Sequence, residues 1–262
     1  MADIFQGIVM YQRAHKEKDL MVKILTREYG KRMFYIRHGK SKRYQYAADM
    51  QPLTMATYEG TINRTGLSFI NDVKQSKLPR VFIEDVEKNA YMLYILGLID
   101  AAYVDNQPIA HWFDEAKLAE TKMVTGFDAQ ALANYFELHL LPDFGIQMQW
   151  QSCVICGNAE GPMDFSEHLQ GVLCQKHWER DEHRMHVNPK AVYVLQQLAR
   201  VDLAQLHSLT LNDATKEEMA RVLDRIYQEQ VGVQLRAKTF IQDLHQWDQR
   251  LAQRGQKNAP TD

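Results

Sequence analysis

Apolar and polar residues alternate with a period of two through most of the first 80 positions. Phe5, Gly7, Val9 and Tyr11 fall on one side of a first predicted strand. Leu20, Val22 and Ile24 do so in a second, with Met21 and Leu25 opposite, as expected of a strand partly covered on both faces. Glu28-Tyr29-Gly30-Lys31 reads as a turn into a third strand holding Met33-Phe34-Tyr35-Ile36. Strands near Pro52–Glu59 and Gly66–Val73 complete five, with a break at Gly60 that suits a hairpin. Five short strands are too few for a two-sheet sandwich and suit a small barrel, in which closure protects the edges. The expectation is an oligonucleotide-binding (OB) type barrel over residues 1–80, with an SH3-like barrel as nearest rival, since alternation does not separate the two.

After Lys77-Leu78-Pro79 the period changes. Val81, Phe82, Val86, Ala90, Tyr91, Leu93, Tyr94 and Leu98 recur at helical intervals to about residue 103, and Pro79 suits a helix start. Asp105–Pro108 breaks the pattern. A second helix is expected over Ile109–Val124 and a third from an Asp128 N-cap to Leu141, before Pro142. Asn188-Pro189 reads as N-cap and N1 of another helix. Asn212 or Asp213 can cap the next, Gly232 interrupts it, and an amphipathic helix follows from Gln234 to about Arg250. The predicted architecture is a five-stranded barrel followed by a mostly α-helical domain, residues 81–250. A metal-binding segment at 150–187 is inserted in it, and a polar, mobile tail spans 251–262.

Charge sharpens this division. The net charge of −2 over 262 residues conceals an asymmetry: residues 1–80 hold 15 Lys plus Arg against 7 Asp plus Glu, and the remainder 16 against 26. A first third at +8 points to a polyanionic partner. Its densest feature is Arg37-His38-Gly39-Lys40-Ser41-Lys42-Arg43-Tyr44, with the Gly and Ser content of a loop. Arg37, Lys40, Lys42 and Arg43 can contact successive phosphates, and Tyr44 offers a ring for base stacking. Arg13, Lys16 and Lys18 can extend the patch from an earlier connection; Lys23, Arg27, Lys31 and Arg32 are further candidates. No recognition helix is evident, so backbone binding without base readout is expected. No stretch approaches 18 uninterrupted apolar residues, and no basic segment precedes a long apolar run, so neither a membrane span nor a secretory signal is expected.

All three cysteines belong to one pattern, Cys153-x₂-Cys156-x₁₇-Cys174-x₂-His177. Two chelating pairs separated by a loop can wrap four ligands around one tetrahedral ion, and thiolates with imidazole favour zinc. Four protein ligands leave no open position, so the ion is structural. His168, His183 and His186 are rival fourth ligands; His177 is preferred because it repeats the two-residue spacing. A redox reading of Cys153-Val-Ile-Cys156 lacks the strand-to-helix setting and leaves the second pair without a role. An odd cysteine count argues against a disulfide framework and for a reducing, cytoplasmic compartment. His111 and His139 have no partner at i+4 and read as structural or surface residues. The phosphate-loop, dinucleotide, zinc-protease and serine-hydrolase motifs are all missing, so no catalytic residue is expected. A zinc deaminase would need a His-x-Glu…Pro-Cys-x₂-Cys arrangement that the chain lacks, and the adjacent acidic pairs do not make a nuclease site. An RNA-binding or translation-associated module remains the alternative to a DNA-binding one.

Taken together, several stretches resemble the RecO family of bacterial DNA repair and recombination mediators. They include Phe5-Gln6-Gly7-Ile8-Val9-Met10, Glu17-Lys18-Asp19-Leu20-Met21-Val22 and Leu25-Thr26-Arg27-Glu28-Tyr29-Gly30-Lys31. The basic Arg37–Arg43 segment, Tyr135–Gly145, Gly171-Val172-Leu173-Cys174 and Leu235–Phe240 follow in the family's order, over about residues 1–245. Some members carry four cysteines where this chain has His177 at the fourth position. The resemblance implies an N-terminal OB barrel, a helical domain with a zinc segment, and binding to single- and double-stranded DNA. It implies annealing of complementary strands, work with RecR and single-strand-binding protein, and help in loading recombinase onto coated DNA. A cytoplasmic, nucleoid-associated location follows from that role.

Overall fold

A computed structural model of the protein describes residues 2–207 and 209–257, without side-chain detail at 248, 249 and 251–257. The chain forms two compact units. Among the described residues, one comprises the chain up to Thr26, Arg32–Gly97 and the chain from Gln234; the other comprises Arg27–Lys31 and Leu98–Val233.

The first unit holds the barrel, built from β1 (Asp3–His15), β2 (Asp19–Thr26), β3 (Gly30–Ile36), β4 (Met55–Thr61) and β5 (Ser68–Lys77). The strands close in the order β1-β2-β3-β5-β4, with β1 pairing antiparallel to β4. Strand β3 runs parallel to β5, Phe34 opposite Ser68 and Tyr35 opposite Phe69. This is the OB-type arrangement, a five-stranded Greek-key barrel rather than the SH3-like alternative. Its interior is aromatic: Phe5 stacks on Phe34 with centroids 5.4 Å apart and lies 5.7 Å from Tyr58. Gly7 makes room for this packing, because a Cβ there would press on Ile24 and Tyr58.

Two details differ from the alternation. Tyr11 does not share the inward face of Phe5, Gly7 and Val9, because a register shift between Val9 and Tyr11 turns its ring outward. Gly60 is no hairpin break; it lies inside β4, paired with Asp3 and Ile70, where a Cβ would collide with the carbonyl oxygen of Phe69.

The helix expected from residue 81 is two. α1 (Val81–Glu84) ends at Asp85, whose extended backbone starts α2 (Val86–Ala102) while its carboxylate accepts the Lys88 N–H at 2.9 Å. In the first unit α2 meets α7 (Arg236–Lys257), which runs beyond the expected end near Arg250. Gly97 admits Leu235, the Lys238 ammonium lies 5.0 Å from the Tyr94 ring centre, and His245 reaches Glu87 at 3.3 Å. Of the tail expected at 251–262, residues 251–257 continue this helix and 258–262 lie outside the described residues.

The second unit packs α3 (Ala110–Val124), α4 (Ala129–Leu140), α5 (Pro189–Leu198) and α6 (Asp213–Ile226). Caps stand where the sequence places them: Asp128, Asn188 and Asn212 accept from the N–H groups of Ala131, Lys190 and Thr215. Trp112 on α3 lies 5.7 Å from Phe136 on α4, and eleven of the twelve α4 residues are buried. His139 is structural: it stacks on Tyr135 at 4.0 Å and meets the Leu198 carbonyl at 2.9 Å. Among the described residues no helix is long and apolar enough to cross a membrane.

Candidate nucleic-acid interface and metal centre

At one end of the barrel the β1–β2 turn, Lys16 to Lys18, lies beside the connection leaving β3. Asp19, the first residue of β2, ties them together. One carboxylate oxygen accepts the Tyr35 hydroxyl at 2.6 Å and the other the His38 N–H at 2.8 Å. These bonds, Tyr35 foremost, hold the Asp19 carboxyl below its usual range, with the charges of His38 and Lys16 assisting. The Lys40 N–H donates to the Lys18 carbonyl at 3.0 Å. Gly39 lies under this junction against Ile36 and Leu20, which a larger residue would crowd.

Two basic segments separated by some twenty residues of sequence therefore become one surface. Arg13, Lys16, Arg37, Lys40, Lys42 and Arg43 are all exposed, and none forms a salt bridge within the described residues. Tyr44 is less open than its loop position suggested. It is half-buried, edge-on to Tyr46 at 5.9 Å, and burial pushes its phenol up to about 12.

The other basic candidates are engaged elsewhere. Arg27 forms a two-bonded pair with Asp114 at 2.8 and 3.0 Å. Lys31 is 1% exposed and is held by Asp100 and the Tyr103 carbonyl. Arg32, also buried, donates to the Asn63 carbonyl at 2.6 Å, bracing the β4–β5 loop. Lys23 is buried. Sequence charge alone could not tell these from the exposed set; the difference is tertiary.

The barrel end carries three rings that the charge pattern did not single out. His15 lies edge-on to Tyr35 at 5.9 Å, and Tyr35 edge-on to Phe69 at 6.1 Å. Phe69 is 41% exposed. Period two supplies a signal for part of this set. Arg13 and His15 share one face of β1, and Tyr35 leads in the same parity to Arg37. The place of Phe69 beside Tyr35 needed the parallel β3–β5 register.

The second unit holds the cysteine segment. Cys153 and Cys156 flank a tight turn in which the Gly157 N–H donates to the Cys153 carbonyl and the Cys153 N–H to the Asn158 carbonyl, both at 2.8 Å. Gly157 has φ +72°, a left-handed conformation that glycine adopts without strain. A hairpin of β6 (Met163–Ser166) and β7 (Gly171–Cys174) follows, which the sequence pattern did not reveal. The Val154 N–H donates to the Val172 carbonyl at 3.0 Å, docking the turn on β7. Cys174 ends β7, and a 3₁₀ turn, Gln175–Arg180, brings back His177.

The four ligand atoms lie within 4.8 Å of one another, and no other group of three or more His, Cys, Asp or Glu converges in this way among the described residues. Cys156 Sγ is 3.8 Å from Cys174 Sγ, and His177 Nδ1 is 3.6 Å from Cys153 Sγ and 3.3 Å from Cys174 Sγ. Zinc bonds of about 2.3 Å to sulfur and about 2.0 Å to nitrogen at tetrahedral angles require edges of roughly 3.8 and 3.5 Å. The set fits one structural zinc. Burial pushes the Cys153 thiol up, but the backbone N–H groups of Cys174, Cys156 and Ile155 reverse this and hold it at about 6, favouring the thiolate that a metal needs.

Comparison with known proteins agrees with this architecture. Residues 1–78 match the family model for Recombination protein O N terminal, and residues 83–239 match Recombination protein O C terminal. DNA repair protein RecO of Limosilactobacillus reuteri is 40% identical over 247 residues, covering 94% of this chain and 95% of its own. DNA repair protein RecO of Lactiplantibacillus plantarum is 39% identical, covering 97% and 98%. That of Pediococcus pentosaceus is 39% identical, covering 93% and 96%. Barrel, helical unit, cysteine segment and near-full-length likeness together place the chain in the RecO family of DNA repair and recombination mediators.

Proposed function

We propose that the exposed basic end of the barrel holds DNA backbones, so that two like-charged strands can approach and pair. Arg37, Lys40, Lys42 and Arg43 are the principal phosphate contacts, Arg13 and Lys16 extend them, and Tyr44 lines the edge. The observation that carries this reading is the Asp19 junction, which sets the Lys16–Lys18 turn against the Arg37–Arg43 loop. Cations left without internal partners displace condensed counterions from a nucleic acid, which supplies affinity with little regard to sequence. Base pairing then drives annealing, and no covalent step is needed.

In this reading residues 1–80 form the DNA-binding domain. Residues 81–250, with the zinc segment at 150–187, form the domain that engages RecR and single-strand-binding protein and assists recombinase loading. The protein acts on both single- and double-stranded DNA in the cytoplasm, at the nucleoid. Cys153, Cys156, Cys174 and His177 hold a zinc ion that shapes the segment and leaves no open coordination position for chemistry.

The test is annealing of complementary DNA strands coated with single-strand-binding protein, comparing the natural chain with a Lys40/Lys42/Arg43→Ala variant. The variant is expected to anneal slowly. The slope of log affinity against log salt should fall by about 2 on single strands, since each lost phosphate contact removes about 0.7. An unchanged slope would refute the assignment of this loop. Matched RNA strands as competitors decide between DNA and RNA as the substrate; tighter binding to RNA would favour the translation-associated alternative, which the family membership does not support.

A further inference from the structure

The rings beside the cationic loop do a different job from the charges. We propose that His15, Tyr35 and Phe69 form a base-stacking face through which this barrel binds an unpaired strand by its bases as well as by its phosphates. This rests on the reading of the barrel as a DNA-binding surface and adds what the charges alone do not supply, a means of telling a single strand from a duplex.

The geometry carries the argument. The three rings form an unbroken row, with centroids 5.9 and 6.1 Å apart, across the outer surface of the barrel. The inward rings of Phe5, Phe34 and Tyr58 make a separate, fully buried set, so the outer row is not core. Phe69 is 41% exposed on a strand, where an apolar ring gains little by facing water. Arg13 stands two residues before His15 on the same face of β1, and Arg37 follows Tyr35 by two residues in the turn just beyond β3, so cations flank the rings. The Tyr35 hydroxyl is fixed by Asp19 at 2.6 Å, the same carboxylate that joins the two basic segments. Ring orientation and cation placement thus share one anchor.

Duplex DNA keeps its bases stacked on each other and offers a protein mainly phosphates, sugars and groove edges. An unpaired strand offers the faces of its bases, and any base can stack on a ring, which makes such contacts tolerant of sequence. A row of rings bordered by arginines fits an unpaired strand whose bases turn inward while its phosphates follow the loop. Charge loss should therefore weaken single strand and duplex alike, whereas ring loss should weaken the single strand only.

The experiment measures binding of the full chain to three probes of equal length: a thymidine oligonucleotide, the same phosphate backbone with abasic sites, and a duplex. The natural chain should favour the thymidine strand over the abasic strand. Phe69→Leu keeps an apolar side chain on the strand but removes the ring, and it leaves the Tyr35–Asp19 bond of the cationic junction untouched. It should lower affinity for the thymidine strand by roughly 5- to 100-fold. Duplex and abasic binding and the salt slope should stay as they were. Phe69→Trp should restore the preference. Equal loss on all three probes in Phe69→Leu, no loss on any, or a natural chain that does not distinguish thymidine from abasic strands would each overturn the stacking face. The Lys40/Lys42/Arg43→Ala variant separates this from the charge assignment: a normal salt slope there would sink the loop and leave the rings standing.

Discussion

Neighbouring residues on one strand have opposite duties in this barrel. Phe34 points inward, fully buried against Phe5, while Tyr35 points outward and is fixed by Asp19. Phe34→Ala should destabilise the protein by about 3–5 kcal/mol, as truncation of a buried aromatic ring does; chemical denaturation should report it as an earlier midpoint. The strand period sets Phe34 and Tyr35 on opposite faces, but the unbroken run Met33-Phe34-Tyr35-Ile36 does not say which of them faces the core. Alternation could not foresee the bulge after Val9, because an extra residue in one strand leaves no mark on composition. Asp72 gives the pH response at this scale. Hydrogen bonds from Lys74 first, then Tyr46, hold its carboxyl down to about 2. A depressed acid favours the fold above its unfolded value and loses that advantage as pH falls through the folded one. Stability should therefore decline between about pH 4 and pH 2, and Asp72→Asn should remove part of that decline. An acid titration followed by circular dichroism, with an unaltered profile in the variant, would count against the pairing.

An element can be legible by chemistry when it is illegible by periodicity. The ligand spacing Cys153-x₂-Cys156 and Cys174-x₂-His177 was readable directly, since all three cysteines fall into a single chelating pattern. The β6–β7 hairpin that carries Cys174 was not, because four-residue strands such as Met163–Ser166 are too short to show alternation. Gly171 lets the hairpin come close to the preceding chain, since a Cβ there would press on the Gln149 carbonyl and Val154. The expected metal content is one zinc per chain. His177→Ala should lose it, whereas His177→Cys should retain it, because a thiolate can close the same tetrahedron. Metal analysis after gel filtration checks both. Chelation should also change the fluorescence of Trp178, whose indole N–H donates to the Leu173 carbonyl at 3.0 Å beside the site. Retention of full metal by His177→Ala would point to another fourth ligand.

On the scale of the whole chain, the change of period near residue 80 and the division into compact units do not coincide. The first unit takes in α2 as far as Gly97 and resumes at Gln234, so the chain leaves this unit and returns to it. No local pattern announces a return across more than a hundred residues; it is written only in the contacts of α7. Leu235 fills the space above Gly97, Lys238 lies over the Tyr94 ring, and His245 meets Glu87. A chain ended after Val233 would retain the whole barrel and every zinc ligand, yet it would uncover the α2 surface that Leu235 and Lys238 occupy. That truncation should lower the melting temperature while leaving the bound zinc in place, because the metal segment belongs wholly to the other unit. A chain of independent consecutive domains predicts the opposite: loss of the last helix would leave the barrel's melting unchanged. Differential scanning calorimetry of the truncated and full chains, with metal content measured on each, separates the two. Unchanged melting with α7 removed would mean that the barrel unit ends before Gln234.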